Sequence, residues 1–188
     1  RDLTRRKTAL DGMALPGNGT IPMPYSGRLA LAEEAGEAVM NLIAKNIRPR
    51  DIMTPAAIKN AEKVDCAIGA STNTVLHLLA IANELGLDKS KISVDTMNEI
   101  SARTPNICRL APAGNHYIEE LNEAGGISAV LKELEDGGYL DTSVMTVSRK
   151  TMHEVIAKAR VKDPEIIRPL SNPYSPYGGL AILKGNLA

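Results

Sequence analysis

The sequence contains no Phe and no Trp, and only five Tyr among 188 residues. Its core must therefore be aliphatic, and an aromatic platform for stacking bases or sugars is not expected. An excess of one charge is also lacking, since 22 Lys and Arg face 22 Asp and Glu. That balance argues against a nucleic-acid binder held mainly by bulk charge, and against a polybasic membrane-surface protein. No apolar run approaches the roughly 18 residues of a membrane-spanning helix. Two cysteines, Cys66 and Cys108, are too few for a disulfide framework or a four-thiolate metal site. Two reduced thiols in a reducing compartment is the expected state. Arg1, Arg5, Arg6 and Lys7 are basic, but no apolar stretch of a secretory signal follows them. With no initiating Met and no tail after Leu187-Ala188, both ends are expected to be cuts in a longer protein.

What is present is mostly helical patterning. Residues 15–26 read LPGNGTIPMPYS, a proline- and glycine-rich loop. Ala32, Ala35, Val39, Met40 and Ile43 recur at helical spacing and predict a helix over 28–45, with Glu33, Glu34 and Glu37 towards its positive end. Arg48-Pro49-Arg50 interrupts. Thr54-Pro55 is a helix start, because Thr caps and Pro is tolerated at the first helical position. Ala57, Ile58, Ala61, Val64 and Ile68 mark the face of that helix, and Gly69 breaks it. Ser71-Thr72-Asn73 restart an apolar helix to about Leu85, with Gly86 as its stop. Further helices are predicted over 95–102, 117–123, 127–135 and 151–160. Short strands are predicted over 107–110, 144–147 and 180–183. The fold class is α/β and helix-rich.

Chemistry has few places to sit. At Gly69-Ala70-Ser71-Thr72-Asn73, free N–H groups at a helix start, together with hydroxyl and amide side chains, suit a carboxylate or phosphate. The same residue types are also ordinary caps. Leu15-Pro16-Gly17-Asn18-Gly19-Thr20 can wrap an anion in a backbone nest or be a plain turn, and it lacks the Gly-Lys-Ser/Thr ending of a P-loop. His77 lies one helical turn from Asn73 and is read as a core-edge residue; His116 and His153 are scattered from it. The chain has no His-x-x-x-His, Glu-x-x-His or Cys-x-x-Cys, which argues against a metal site built wholly within it. Cys66 and Cys108 read as buried, inert thiols.

Taken in order, the motifs resemble one family. They are Gly12-Met13-Ala14-Leu15-Pro16-Gly17-Asn18-Gly19-Thr20, Pro24-Tyr25-Ser26-Gly27-Arg28 and Asn46-Ile47-Arg48-Pro49-Arg50-Asp51-Ile52-Met53. Next come Asn60-Ala61, Val64-Asp65 and Ser71-Thr72-Asn73-Thr74-Val75-Leu76-His77-Leu78, then Thr104-Pro105-Asn106 and Ala124-Gly125-Gly126. Thr146-Val147, Arg168-Pro169 and Gly178-Gly179-Leu180-Ala181-Ile182-Leu183-Lys184-Gly185-Asn186 close the series. Residues 12–188 thus resemble the central part of the N-terminal α/β domain of a dihydroxy-acid dehydratase. Residues 1–11 match poorly and form a segment apart. The related sugar-acid dehydratases share some of these motifs, and the Asn-Ile-Arg-Pro-Arg-Asp-Ile-Met run favours the dihydroxy-acid branch.

The resemblance implies a hydro-lyase that turns a 2,3-dihydroxy acid into a 2-keto acid in isoleucine and valine biosynthesis. It also implies an iron–sulfur cluster, Mg²⁺, a homodimeric parent, and a cytoplasmic site (organelle stroma or matrix in a eukaryote). The family's cluster cysteines and magnesium ligands lie upstream of these motifs, and its base lies downstream. No catalytic or metal residue is therefore carried over, and the isolated chain is expected to be inactive and to bind neither group. Ser71, Thr72 and Asn73 are the first candidates for lining the substrate cavity, followed by Asn18 and Gly19. The alternatives are a sugar-acid dehydratase, or a non-catalytic helical domain whose apolar faces bind a partner protein.

Overall fold

A computed structural model describes residues 12–88 and 90–186. The expectations for residues 1–11 and for Leu187-Ala188 lie outside the described residues. Helices in chain order are α1 (Gly27–Ala44), α2 (Pro49–Ile52), α3 (Pro55–Ile68), α4 (Asn73–Glu84), α5 (Val94–Ser101), α6 (Ile118–Glu123), α7 (Gly126–Asp136) and α8 (Met152–Ile156).

The fold is organised around α3. Its start follows the sequence signal, since the Thr54 hydroxyl accepts from the Ala57 N–H and Pro55 occupies the first turn. Its end is Gly69 in the left-handed conformation, at φ 59°, where a side chain would be strained. Between these stops the helix is buried except for a half-buried stripe of Ala56, Lys59 and Lys63, and α4, α5 and α7 pack on it. Ile58, Ala61, Val64 and Ile68 join Leu78 of α4 and Val130 and Leu134 of α7 in one aliphatic core. That core is what a chain without Phe or Trp has to build.

A helix so largely buried must also satisfy its polar side chains. Asn60 does so completely, donating to the Asp141 carbonyl at 2.7 Å and accepting the Asp141 N–H at 3.0 Å. Lys63 Nζ reaches the Tyr139 carbonyl at 2.6 Å. Together they fasten the turn after α7 to α3. Glu62 is different: it is 2% exposed, and its Oε2 has no hydrogen-bond partner among the described residues.

The helix-rich reading holds, and several details differ from the sequence expectation. Among the described residues no strand ladder forms. Residues 107–110 and 144–147 contribute only isolated bridges, such as Leu110 with His116 and Met145 with Thr151, and 180–183 contribute none. The physical reason at 107–108 is direct, because the Ile107 and Cys108 N–H groups are spent on the Ala67 carbonyl of α3. The helix expected over 151–160 stops at Ile156. The chain then turns, and Lys162 N–H bonds back to the Ala124 carbonyl. A short α2 forms where an interruption was expected, with Pro49 opening it and Asp51 accepting from the Arg48 N–H at 2.8 Å. The apolar stripe of α1 does not face the core. Only Leu31 is buried there, while Leu29, Val39, Met40 and Ile43 are exposed.

Burial pushes the Glu62 carboxyl up from 4.5 to about 7, with Lys59 and Lys63 opposing the shift. The folded state therefore binds a proton that the unfolded chain has released. This contribution to stability is complete below about pH 4.5 and is lost as pH rises through about 7. In urea melts, wild type should lose stability relative to Glu62→Gln between about pH 5 and about pH 8. Parallel pH profiles for the two proteins would show that Glu62 is not buried in this way.

Candidate functional site

The Gly69-Ala70-Ser71-Thr72-Asn73 turn joins the C-terminus of α3 to the N-terminus of α4. Ser71 is half-buried, and Thr72 and Asn73 are exposed. Ser71 performs the local capping, its Oγ accepting the Asn73 N–H at 3.3 Å and its carbonyl the Thr74 N–H at 2.9 Å. Thr72 makes no side-chain cap bond. The Thr72 and Asn73 side chains are thus left facing solvent at a helix N-terminus.

What holds this turn in place is a pair that the sequence reading passed over. Buried Thr74 donates its hydroxyl to Asp65 Oδ1 of α3 at 2.9 Å. The pair ties the first turn of α4 to α3. Its only sequence signal was an Asp on the otherwise apolar face of Ala61, Val64 and Ile68.

Segments far apart in the chain converge beside Gly69. Gly179 N–H donates to the Cys66 carbonyl at 2.8 Å, and Gly178 N–H to the Ser101 carbonyl at 2.7 Å. Ser101 Oγ donates in turn to the Leu180 carbonyl. The side-chain amide of Asn106 donates to the Ala67 carbonyl at 3.1 Å. The approach is so close that a Cβ on Gly179 would sit 2.5 Å from the Gly69 Cα. These contacts wall a cleft of about 260 Å³, whose polar lining comes from Asn106, Arg109, Ser175 and Tyr177. Cys108 also lines it, and burial pushes its thiol up to about 12. Cys66, beneath the cleft, is likewise pushed up to about 12 by burial. Burial thus favours the protonated form of both thiols, which argues against a nucleophilic role for either.

Asn18 and Gly19 occupy a separate place. Arg28 holds Asn18 through its carbonyl at 2.8 Å and its Oδ1 at 3.2 Å. Gly19 lines a pocket of about 30 Å³ against Ile127 of α7 and Met152 of α8, a space on the scale of one water molecule. Among the described residues no hydrogen bond links Asn18 or Gly19 to Ser71, Thr72 or Asn73. His77 is exposed on α4 rather than at the core edge. Half-buried His116, ahead of α6, meets Glu120 at 3.3 Å, and exposed His153 on α8 meets Glu135 at 2.6 Å.

The dihydroxy-acid/6-phosphogluconate dehydratase N-terminal family matches residues 8–155. The chain belongs to this family. The dihydroxy-acid dehydratase of Clostridium kluyveri is 56% identical over 181 residues, covering 96% of this chain and 32% of that protein. The dihydroxy-acid dehydratase of Agathobacter rectalis is 58% identical over 177 residues, covering 94% of this chain and 31% of that protein. That of Nitratidesulfovibrio vulgaris is 55% identical over 179 residues, covering 94% and 32%. The chain thus spans about a third of the length of the curated relatives it matches. For a member of this dehydratase family, the cleft beside Gly69 supplies amide, hydroxyl and guanidinium groups. These can bind and orient a ligand, and none of them is a ready base at neutral pH.

Two substitutions test this architecture. Thr74→Val removes the donor to Asp65 while keeping the side-chain shape, and should cost about 1–3 kcal/mol in denaturant unfolding, with Thr74→Ser retaining most of the stability. Gly179→Ala forces backbone against backbone at Gly69, and should cost about 1–3 kcal/mol by the same measurement. An unchanged midpoint in either valine or alanine variant would contradict the packing described.

Proposed function

We propose that this chain is part of a hydro-lyase that removes water from a 2,3-dihydroxy acid to give a 2-keto acid. Two lines support the reading. The family match and the relatives, all named dihydroxy-acid dehydratases, indicate the reaction class. Gly69, Asn106, Arg109, Ser175 and Gly179 meet at one cleft, one turn of chain away from Ser71, Thr72 and Asn73, which do not line it; that convergence supports a ligand-holding role and is the observation that carries the proposal. In this reading Thr72 and Asn73, exposed at the N-terminus of α4, face the substrate together with Ser71, whose hydroxyl also caps that turn. Asn18 and Gly19 are second candidates, since Arg28 already engages Asn18. Hydroxyl and amide groups at such a position bind a hydroxy-carboxylate through hydrogen bonds that strengthen as negative charge develops.

The iron–sulfur cluster and Mg²⁺ implied by the family do not fit the described residues. Among them no three His, Cys, Asp or Glu side chains converge on a point that can hold a metal ion. No step is therefore assigned to these groups here. In the proposed enzyme they are held by other residues, and this chain binds and orients. A sugar-acid substrate remains the second reading, since the family description covers 6-phosphogluconate dehydratase as well. The proposed enzyme is a homodimer working in the cytoplasm. No described helix is long and apolar enough to cross a membrane.

A chimaera tests the proposal, with these 188 residues replacing the matching third of the Clostridium kluyveri enzyme. It should form a 2-keto acid from 2,3-dihydroxyisovalerate, and Asn73→Ala in the chimaera should lower kcat/KM by about fivefold to tenfold, the value of one hydrogen bond. The isolated chain should form none. A folded chimaera with no activity on dihydroxy acids, or an Asn73→Ala variant as efficient as its parent, would refute the assignment.

A further inference from the structure

Arg109 and Arg168 come from separate segments and stack on the same ring. The Arg168 guanidinium carbon lies 3.9 Å from the Tyr174 ring centre, and that of Arg109 lies 5.0 Å from it. Both cations are thus within roughly one Debye length of each other at ~0.1 M salt. Among the described residues, neither guanidinium has a carboxylate in salt-bridge range or a hydrogen-bond acceptor. Three other arginines are engaged, whereas Arg103, Arg149 and Arg160 also lack a side-chain hydrogen bond or ion pair among the described residues, and what sets Arg109 and Arg168 apart is the shared ring. Arg48 pairs with Asp51, Arg28 holds Asn18, and Arg50 caps the carbonyls of Glu84 and Leu85 at 3.1 and 3.3 Å.

The platform beneath the two cations is fixed. Tyr174 donates its hydroxyl to the Glu165 carbonyl at 2.7 Å and its N–H to the Asn106 carbonyl at 2.9 Å. Arg168 N–H donates to the Ile107 carbonyl at 2.9 Å. The ring face attracts each cation by about 0.5–1 kcal/mol at an exposed site, but it uses none of their N–H donors. Two guanidinium groups gathered on one ring, with no carboxylate among the described residues in salt-bridge range, keep their N–H donors for an oxyanion. Arg109 also lines the cleft beside Gly69, which places this charge at the rim of a ligand-sized space.

We propose that Arg109 and Arg168, carried on Tyr174, form an oxyanion-binding site that takes the carboxylate or phosphate of a small ligand. The site stands on the arginine–tyrosine geometry alone, so it can fail or hold independently of the dehydratase reading.

Side-chain Nε–Hε resonances of the arginines provide the test. The chain is titrated with inorganic phosphate, and separately with 2,3-dihydroxyisovalerate, at an ionic strength held constant with chloride. Two arginine signals should move saturably. Arg109→Gln should weaken the interaction about tenfold, and the Arg109→Gln/Arg168→Gln pair should abolish it. Arg103→Gln, an exposed arginine outside the stack, should bind as wild type. A response to phosphate alone assigns the site to phosphate, and a response to the dihydroxy acid assigns it to a carboxylate ligand. If neither anion gives a saturable shift, or if Arg109→Gln binds as wild type, the proposal is overturned. Arg109 is exposed, so the single variant decides the matter even if the double variant does not fold.

Discussion

The carbonyl oxygens at the C-terminal end of α3 have to be satisfied away from bulk water, because other segments cover that end of the helix. A helix leaves its last four carbonyls without intrahelical partners, and a buried one left unpaired costs about 1–3 kcal/mol. Here Asp65 O accepts from Ala70 N–H at 3.1 Å, Cys66 O from Gly179 N–H at 2.8 Å, and Ala67 O from Ile107 N–H at 2.8 Å. Asn106 adds its side-chain amide to Ala67 O. Residues about forty and more than a hundred positions downstream are thereby drawn to one point. Gly69 and Gly179 are glycines there for a steric reason, since the two backbones nearly touch.

The same constraint shapes what the site can do. The groups that fasten the strands of chain around α3 are backbone amides, Asn106, Ser101 and Thr74, so the cleft is built by hydrogen bonding and lined by neutral polar atoms and one guanidinium. Both cysteines are buried, and Cys108 packs within the aliphatic core. Such a surface offers hydrogen-bonding groups and no ready base, and the chain spans about a third of its relatives' length. The outward apolar stripe of α1, with Leu29, Met40 and Ile43 exposed, is a second feature that the aliphatic core does not absorb.

Local signals were well marked in the sequence. Thr54-Pro55, Gly69, Gly86 and the double glycines at 125–126 and 137–138 delimit helices where their backbone preferences place them. Non-local facts were not legible. Residues 107–110 look like a strand by composition, but whether an extended segment pairs in a ladder depends on what it meets, and this one meets a helix end. Helical spacing on α1 identified an apolar stripe correctly, yet periodicity carries no information on which side the core lies. At the site, Ser71, Thr72 and Asn73 stood out as cap-type residues. Asp65, Asn106 and Gly178-Gly179 acquire their roles only from contacts made across the fold.

Native-state hydrogen exchange at the Gly179 and Ile107 amides tests the central role of the α3 terminus most directly. If these amides close the end of a buried helix, they should be protected to the same opening free energy as the backbone amides of α3, since one unit opens as a whole. Exchange of Gly179 and Ile107 at the rate of an open loop, with α3 still protected, would contradict it.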